Sequence, residues 1–132
     1  MKPRRIDFNG AGTKRAVIER VLHTRLSEAL DLAPALEARD RQALHDFRIA
    51  CKRLRYALER FTNGKPALER AAERLASVQD ALGEAHDRDV LLTILPPNIP
   101  ETERRLMEER EECVDRAATE WNAVAPGLHN AS

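Results

Sequence analysis

DRQALHDFRIACKRLRYALERF, from Asp40 to Phe61, decides the fold. Leu44, Phe47, Cys51, Leu54, Leu58 and Phe61 recur at intervals of three and four, which places them along one face of an α-helix. Asp40 is a good N-cap residue, and Asn63-Gly64 supplies the stop. On this helix Arg41, His45, Arg48, Lys52 and Arg55 fall within an arc of roughly 80°, taking about 100° per residue, and that arc borders the apolar seam. Five basic groups thus form one ridge beside the core.

The rest of the chain repeats the pattern. A first helix is expected from Thr13, its N-cap, to about Ala33, where Pro34 interrupts; its stripe is Ile18, Leu22, Ala29 and Ala33. A third opens at Pro66 and carries Leu68, Ala71, Leu75, Val78, Leu82, Ala85 and Leu92 to the break at Pro96-Pro97. A fourth begins after Pro100 with Glu101 and Glu103 in its first turn, continues through Leu106, Cys113, Ala117, Trp121 and Val124, and is expected to end at Pro126-Gly127. The reading is all-α: a single four-helix bundle of long antiparallel helices forming one domain over residues 1–132. Its ordered core is expected over about 12–125, between loosely ordered arms.

Composition agrees. Aromatic residues make up 4% of the 132 and only five are glycine, poor material for sheets and good material for helices. The longest aliphatic run, Val90 to Leu95, is far short of the roughly 20 apolar residues of a membrane span. No secretory segment follows Met1, so a cytoplasmic location is expected and Cys51 and Cys113 read as reduced core thiols.

Net charge is zero, with 22 basic against 22 acidic residues, so no whole-molecule field draws in nucleic acid or an anionic membrane and neither is an expected partner. The distribution is nevertheless segregated. Residues 41–60 carry a balance of +4 and residues 101–112 one of −3. Cations one helical turn apart, about 5.4 Å, repel one another unless something anionic lies beside them. Either carboxylates from other helices neutralise the ridge, or it awaits a ligand with a matching charge repeat, and a linear polyphosphate has that repeat. Arg25 in the first helix's stripe, Lys14 on its flank, Arg110 beside Leu106 and Cys113, and His86 on the inner side of the third helix are expected to close a cationic cleft. Asp89, also on an inner stripe, is expected to pair with an arginine, because a lone buried carboxylate is costly.

Other chemistry finds little support. Ser27, Ser77 and Ser132 do not sit in strained turns beside a base, Asp87 and Asp89 lie on different faces, and the histidines and cysteines do not converge as metal ligands. No cofactor and no metal are expected, and the protein is read as a non-enzyme.

The stretch His45 to Leu58, of pattern HxxRxxxKRLR, resembles the signature helix of the CHAD family, the conserved histidine α-helical domain. Leu82-Gly83-Glu84-Ala85-His86-Asp87-Arg88-Asp89-Val90-Leu91-Leu92 resembles the family's second hallmark, LGxxRDxDVLL, with His86 where Arg is usual. Together they cover about residues 41–95. The resemblance implies an all-helical protein that binds inorganic polyphosphate or related phosphate- and sulfate-type anions and is targeted to polyphosphate granules. By position it carries His45, Arg48, Lys52, Arg53 and Arg55 as anion contacts, although Arg53 points away from the ridge by angle. Typical members hold two such four-helix units around a basic channel. A single unit implies a homodimer that rebuilds the channel, a shorter anion in its own cleft, or loss of the binding altogether. The competing expectation is an adaptor bundle whose inner charges are paired internally and whose partners are proteins.

Overall fold

The computed structural model describes residues 1–61 and 64–131, with side chains through Leu128. Its described helices are α1 (Lys14–Leu32), α2 (Ala35–Ala38), α3 (Arg41–Phe61), α4 (Pro66–Ile94) and α5 (Pro100–Ala131). The four long ones form the expected bundle. α1 packs chiefly on α3, α3 on α4 and α4 on α5, with a thinner contact between α1 and α5. α4 and α5 run antiparallel, since Asp89 meets Arg110 while Arg74 meets Glu120.

Local chemistry sets most of the boundaries. The Thr13 hydroxyl accepts from the Ala16 N–H at 3.1 Å and the Asp40 carboxylate from the Ala43 N–H at 3.1 Å, so both expected N-caps are made. Leu95 takes an extended conformation before Pro96, whose ring disfavours helical geometry in the residue preceding it. After Pro34 the chain forms one turn of helix, α2, which the sequence reading did not anticipate. Proline is tolerated at a helix start, and burial of Ala35 and Leu36 there repays the turn. Of the expected stop Asn63-Gly64, Asn63 lies outside the described residues, and Gly64 has φ 85°, open to glycine without strain.

The fourth helix departs from expectation. It does not end at Pro126-Gly127 but continues through Pro126 to Ala131. An interior proline costs about 3 kcal/mol. Val124 and Leu128, one turn apart, are both buried in the core cluster, and fully burying such side chains stabilises by roughly 1.5–3 kcal/mol each. Packing therefore overrides the breaker.

The core gathers the apolar stripes of all four long helices. Phe47 and Trp121 meet edge to face at its centre, 5.0 Å between centroids. Cys51 and Cys113 are free and buried, as expected, and burial pushes both thiols up, away from the reactive thiolate. Phe61, last of the seam, leaves the core and is exposed. The N-terminal arm, expected to be loosely ordered over about its first ten residues, is tied to α1 and α3 at Met1, Arg4 and Asp7. The Arg4 N–H donates to Glu28 at 2.8 Å, Arg20 to the Asp7 carbonyl at 3.0 Å, and Arg53 to the Met1 carbonyl at 2.6 Å.

Candidate functional site

Antiparallel packing of α3 on α4 brings the two sequence motifs face to face. His45 lies across from His86, and the Arg48 Nε donates to the main-chain carbonyl of Gln79 at 3.3 Å. Arg41, Leu44, His45 and Arg48 of α3, with Leu82, Ala85, His86 and Asp89 of α4, line a shallow depression. Its interior of about 10 Å³ has room for one water at most, so the depression is too small to enclose a phosphate-sized group.

Gly83 makes this approach possible. A Cβ on it would stand 3.2 Å from an Arg48 terminal nitrogen and 3.5 Å from the guanidinium carbon, so the missing side chain leaves the space in which Arg48 lies across α4. Sequence reasoning quoted this glycine only as part of a motif; its partner became visible once the register of α3 on α4 was fixed. Gly83→Ala separates two effects. Helix propensity should raise stability by up to about 1 kcal/mol, while displacement of the guanidinium should weaken anion affinity about threefold or more. Thermal unfolding and titration with polyphosphate on the same sample check the pair.

Farther along the ridge, Lys52 and Arg55 flank the exposed ring of Tyr56, with the Lys52 ammonium 5.7 Å and the Arg55 guanidinium 4.8 Å from its centroid. The Arg55 ion pair with Glu59 is long at 3.8 Å, and the Arg55 Nε is buried without a hydrogen-bond acceptor. Among the described residues neither Arg48 nor Lys52 has a carboxylate partner. Arg41 reaches Asp89 only at 3.7 Å.

The remaining candidates divide. Arg110 does reach the depression's edge, where its Nε donates to Asp89 at 2.8 Å and another nitrogen donates to the Arg39 carbonyl at 2.7 Å. The expected partner of Asp89 is thus found. Arg25 and Arg53 are elsewhere: both converge on buried Glu28 between α1 and α3, at 2.6 and 3.8 Å, and the N-terminal arm covers them. Lys14 stands exposed at the first residue of α1. The expected single cleft is therefore replaced by a ridge on α3 and α4 and a separate cluster around Glu28. An i,i+3 carboxylate captured Arg25 before any distant group could.

Two residues escaped the sequence reading. Glu28 is 1% exposed, and nothing in its i,i+3 spacing from Arg25 shows that it also receives Arg53 and the arm. Arg39 adopts φ 60°, a left-handed conformation unusual for a non-glycine residue, at the end of α2. It is held there by ion pairs of 2.5 Å to Glu111 and to Asp115 of α5, which raise its guanidinium pKa and hold the Glu111 carboxyl below its usual range.

A family model described as the CHAD domain matches residues 2–96, which contain α1 to α4 and both walls of the ridge. Neither a curated protein nor a solved structure matches the chain. With both motifs joined across one groove and the model spanning most of its length, the chain belongs to the CHAD family.

Proposed function

We propose that the protein binds inorganic polyphosphate without catalysis, along the ridge formed by Arg41, His45, Arg48, Lys52 and Arg55 with His86 opposite. CHAD domains are associated with polyphosphate binding. The observation that carries the reading is unequal pairing. Arg25, Arg39 and Arg110 each hold a carboxylate within 2.8 Å, whereas Arg48 and Lys52 at the ridge centre hold none among the described residues and Arg55 has only Glu59 at 3.8 Å. Cations left uncompensated at one-turn spacing suit an anion of similar repeat, with arginine offering paired donors and lysine a point charge. Lys14 and Arg110 would extend the contact at its margins, and Arg25 and Arg53 contribute only if Glu28 releases them. A cytoplasmic setting at polyphosphate granules, and a homodimer that lengthens the basic track, belong to the same reading. Among the described residues no helix is long and apolar enough to cross a membrane.

Calorimetry with long-chain polyphosphate tests it. Binding should weaken linearly in log–log form as salt rises, with a slope of about 0.7 per phosphate contact by analogy with single strands. It should also tighten with chain length as neighbouring phosphates share one effective concentration. Lack of binding at low salt would leave the adaptor reading. That reading draws on the internal pairing of Arg25 and Arg110 and on the exposed Val90, Leu91 and Ile94 near the end of α4.

A further inference from the structure

His45 and His86 face one another with ring centroids 6.1 Å apart and planes tilted by 38°. Both are exposed and both line the depression that also holds Arg41, Arg48 and Asp89. The charged groups around the rings come from three helices. α3 supplies the Arg41 and Arg48 guanidiniums, α4 supplies Asp89, and α5 supplies Arg110, which takes up the Asp89 charge at 2.8 Å. Arg41 and Arg48 therefore leave a positive balance before either imidazole gains a proton.

An imidazole titrates ordinarily near pH 6.5. An anion across the rim favours a proton on a ring beside it, because each phosphoryl charge stabilises imidazolium and gains a second N–H donor from it. Linkage then requires proton and anion to strengthen one another by the same factor.

We propose that His45 and His86 form a proton-linked phosphate subsite at the Arg41 end of the ridge, so that polyphosphate is held tightly in mildly acidic conditions and released as the pH rises toward 8. The inference rests on the ridge reading and adds regulation to it. If a bound anion favours each imidazolium by about one pH unit, affinity falls about sixfold per histidine between pH 6 and pH 8. Titration of the ligand runs the other way. Chain-end phosphates gain negative charge as pH rises and would tighten binding, so a loss must originate in the protein.

The full chain is titrated with long-chain polyphosphate at pH 6, 7 and 8 at constant ionic strength, in pairs of buffers with different ionisation enthalpies. The expected result is an affinity loss of about tenfold or more from pH 6 to 8, with net proton uptake at pH 7. His45→Gln and His86→Gln, at exposed positions, should each reduce both the uptake and the loss, whereas His86→Arg should recover about sixfold of the pH 8 affinity and leave only the share of the loss that belongs to His45. Binding that stays intact and flat across this range overturns the subsite and leaves the ridge standing, as does proton uptake unchanged in both glutamine variants. No binding at any pH overturns the ridge reading, and this inference with it.

Discussion

Arg48→Ala combined with Arg55→Ala is expected to lower polyphosphate affinity by about 100- to 1,000-fold at low salt. A charge-assisted hydrogen bond contributes roughly 1.5–3 kcal/mol, so two lost together amount to about 3–6 kcal/mol; the lower part of that range, about 3–4 kcal/mol, applies to groups at a protein surface and is two to three decades at 1.4 kcal/mol each. The salt slope should fall by about 1.4 for two contacts. Little of this effect should come from unfolding. Arg48 contributes one hydrogen bond to the Gln79 carbonyl, Arg55 a long ion pair at 3.8 Å to half-exposed Glu59, and truncating Arg55 also removes a buried Nε that has no acceptor. Arg53→Ala is the internal comparison. Its guanidinium lies under the N-terminal arm, donating to the Met1 carbonyl at 2.6 Å with Glu28 at 3.8 Å, so affinity should change by less than about twofold while stability drops modestly. Equal losses from Arg53 and from the Arg48/Arg55 pair would assign binding to the arm-covered cluster instead, and an intact affinity in the double variant would sink the ridge altogether.

That contrast between Arg48 and Arg53 shows what the residues alone could and could not disclose. Angular position along one helix separated the two, because helical periodicity is fixed by backbone geometry and does not depend on neighbours. The same periodicity located the core: Leu44, Phe47, Cys51, Leu54 and Leu58 are all buried. The caps at Thr13 and Asp40 were readable too, since their hydrogen bonds span only three residues. What stayed hidden depends on how helices sit against each other. The meeting of His45 with His86, the space at Gly83 and the capture of Arg53 by Glu28 all follow from interhelical register, which no local spacing encodes. Pro126 failed for a related reason. Its breaking tendency is local, while the burial of Val124 and Leu128 that outweighs it is tertiary. The anticipated shared cleft failed because Arg25 found a carboxylate three residues away, and a local partner wins when it is already within 2.6 Å.

Asp89→Ala should be the most damaging single change to stability near the site. Asp89 is 7% exposed and accepts from Arg110 at 2.8 Å, with Arg41 at 3.7 Å on its other oxygen, so it ties α4 to α5 and to the start of α3. Removing one member of a buried ion pair costs about 3–5 kcal/mol, because the surviving charge is left uncompensated. Here the low end applies. Arg110 keeps Glu111 at 2.9 Å and the Arg39 carbonyl at 2.7 Å, so only its Nε loses its acceptor. A destabilisation of about 3 kcal/mol is a large part of the 5–15 kcal/mol typical of a folded domain, and it should lower the thermal midpoint by roughly 10 °C. Chemical denaturation of Asp89→Ala, Arg110→Met and the double variant separates charge from packing. If the loss arises from an unpaired charge, the double variant should be more stable than the Asp89→Ala single, since no buried cation remains; strict additivity would show that the pair contributes only as two independent side chains. Anion affinity gives the second readout. Among the described residues Asp89 is the one carboxylate on the wall of the depression, so at temperatures where the variant stays folded its removal should strengthen polyphosphate binding about two- to fivefold by freeing Arg41 and the Arg110 Nε for phosphate.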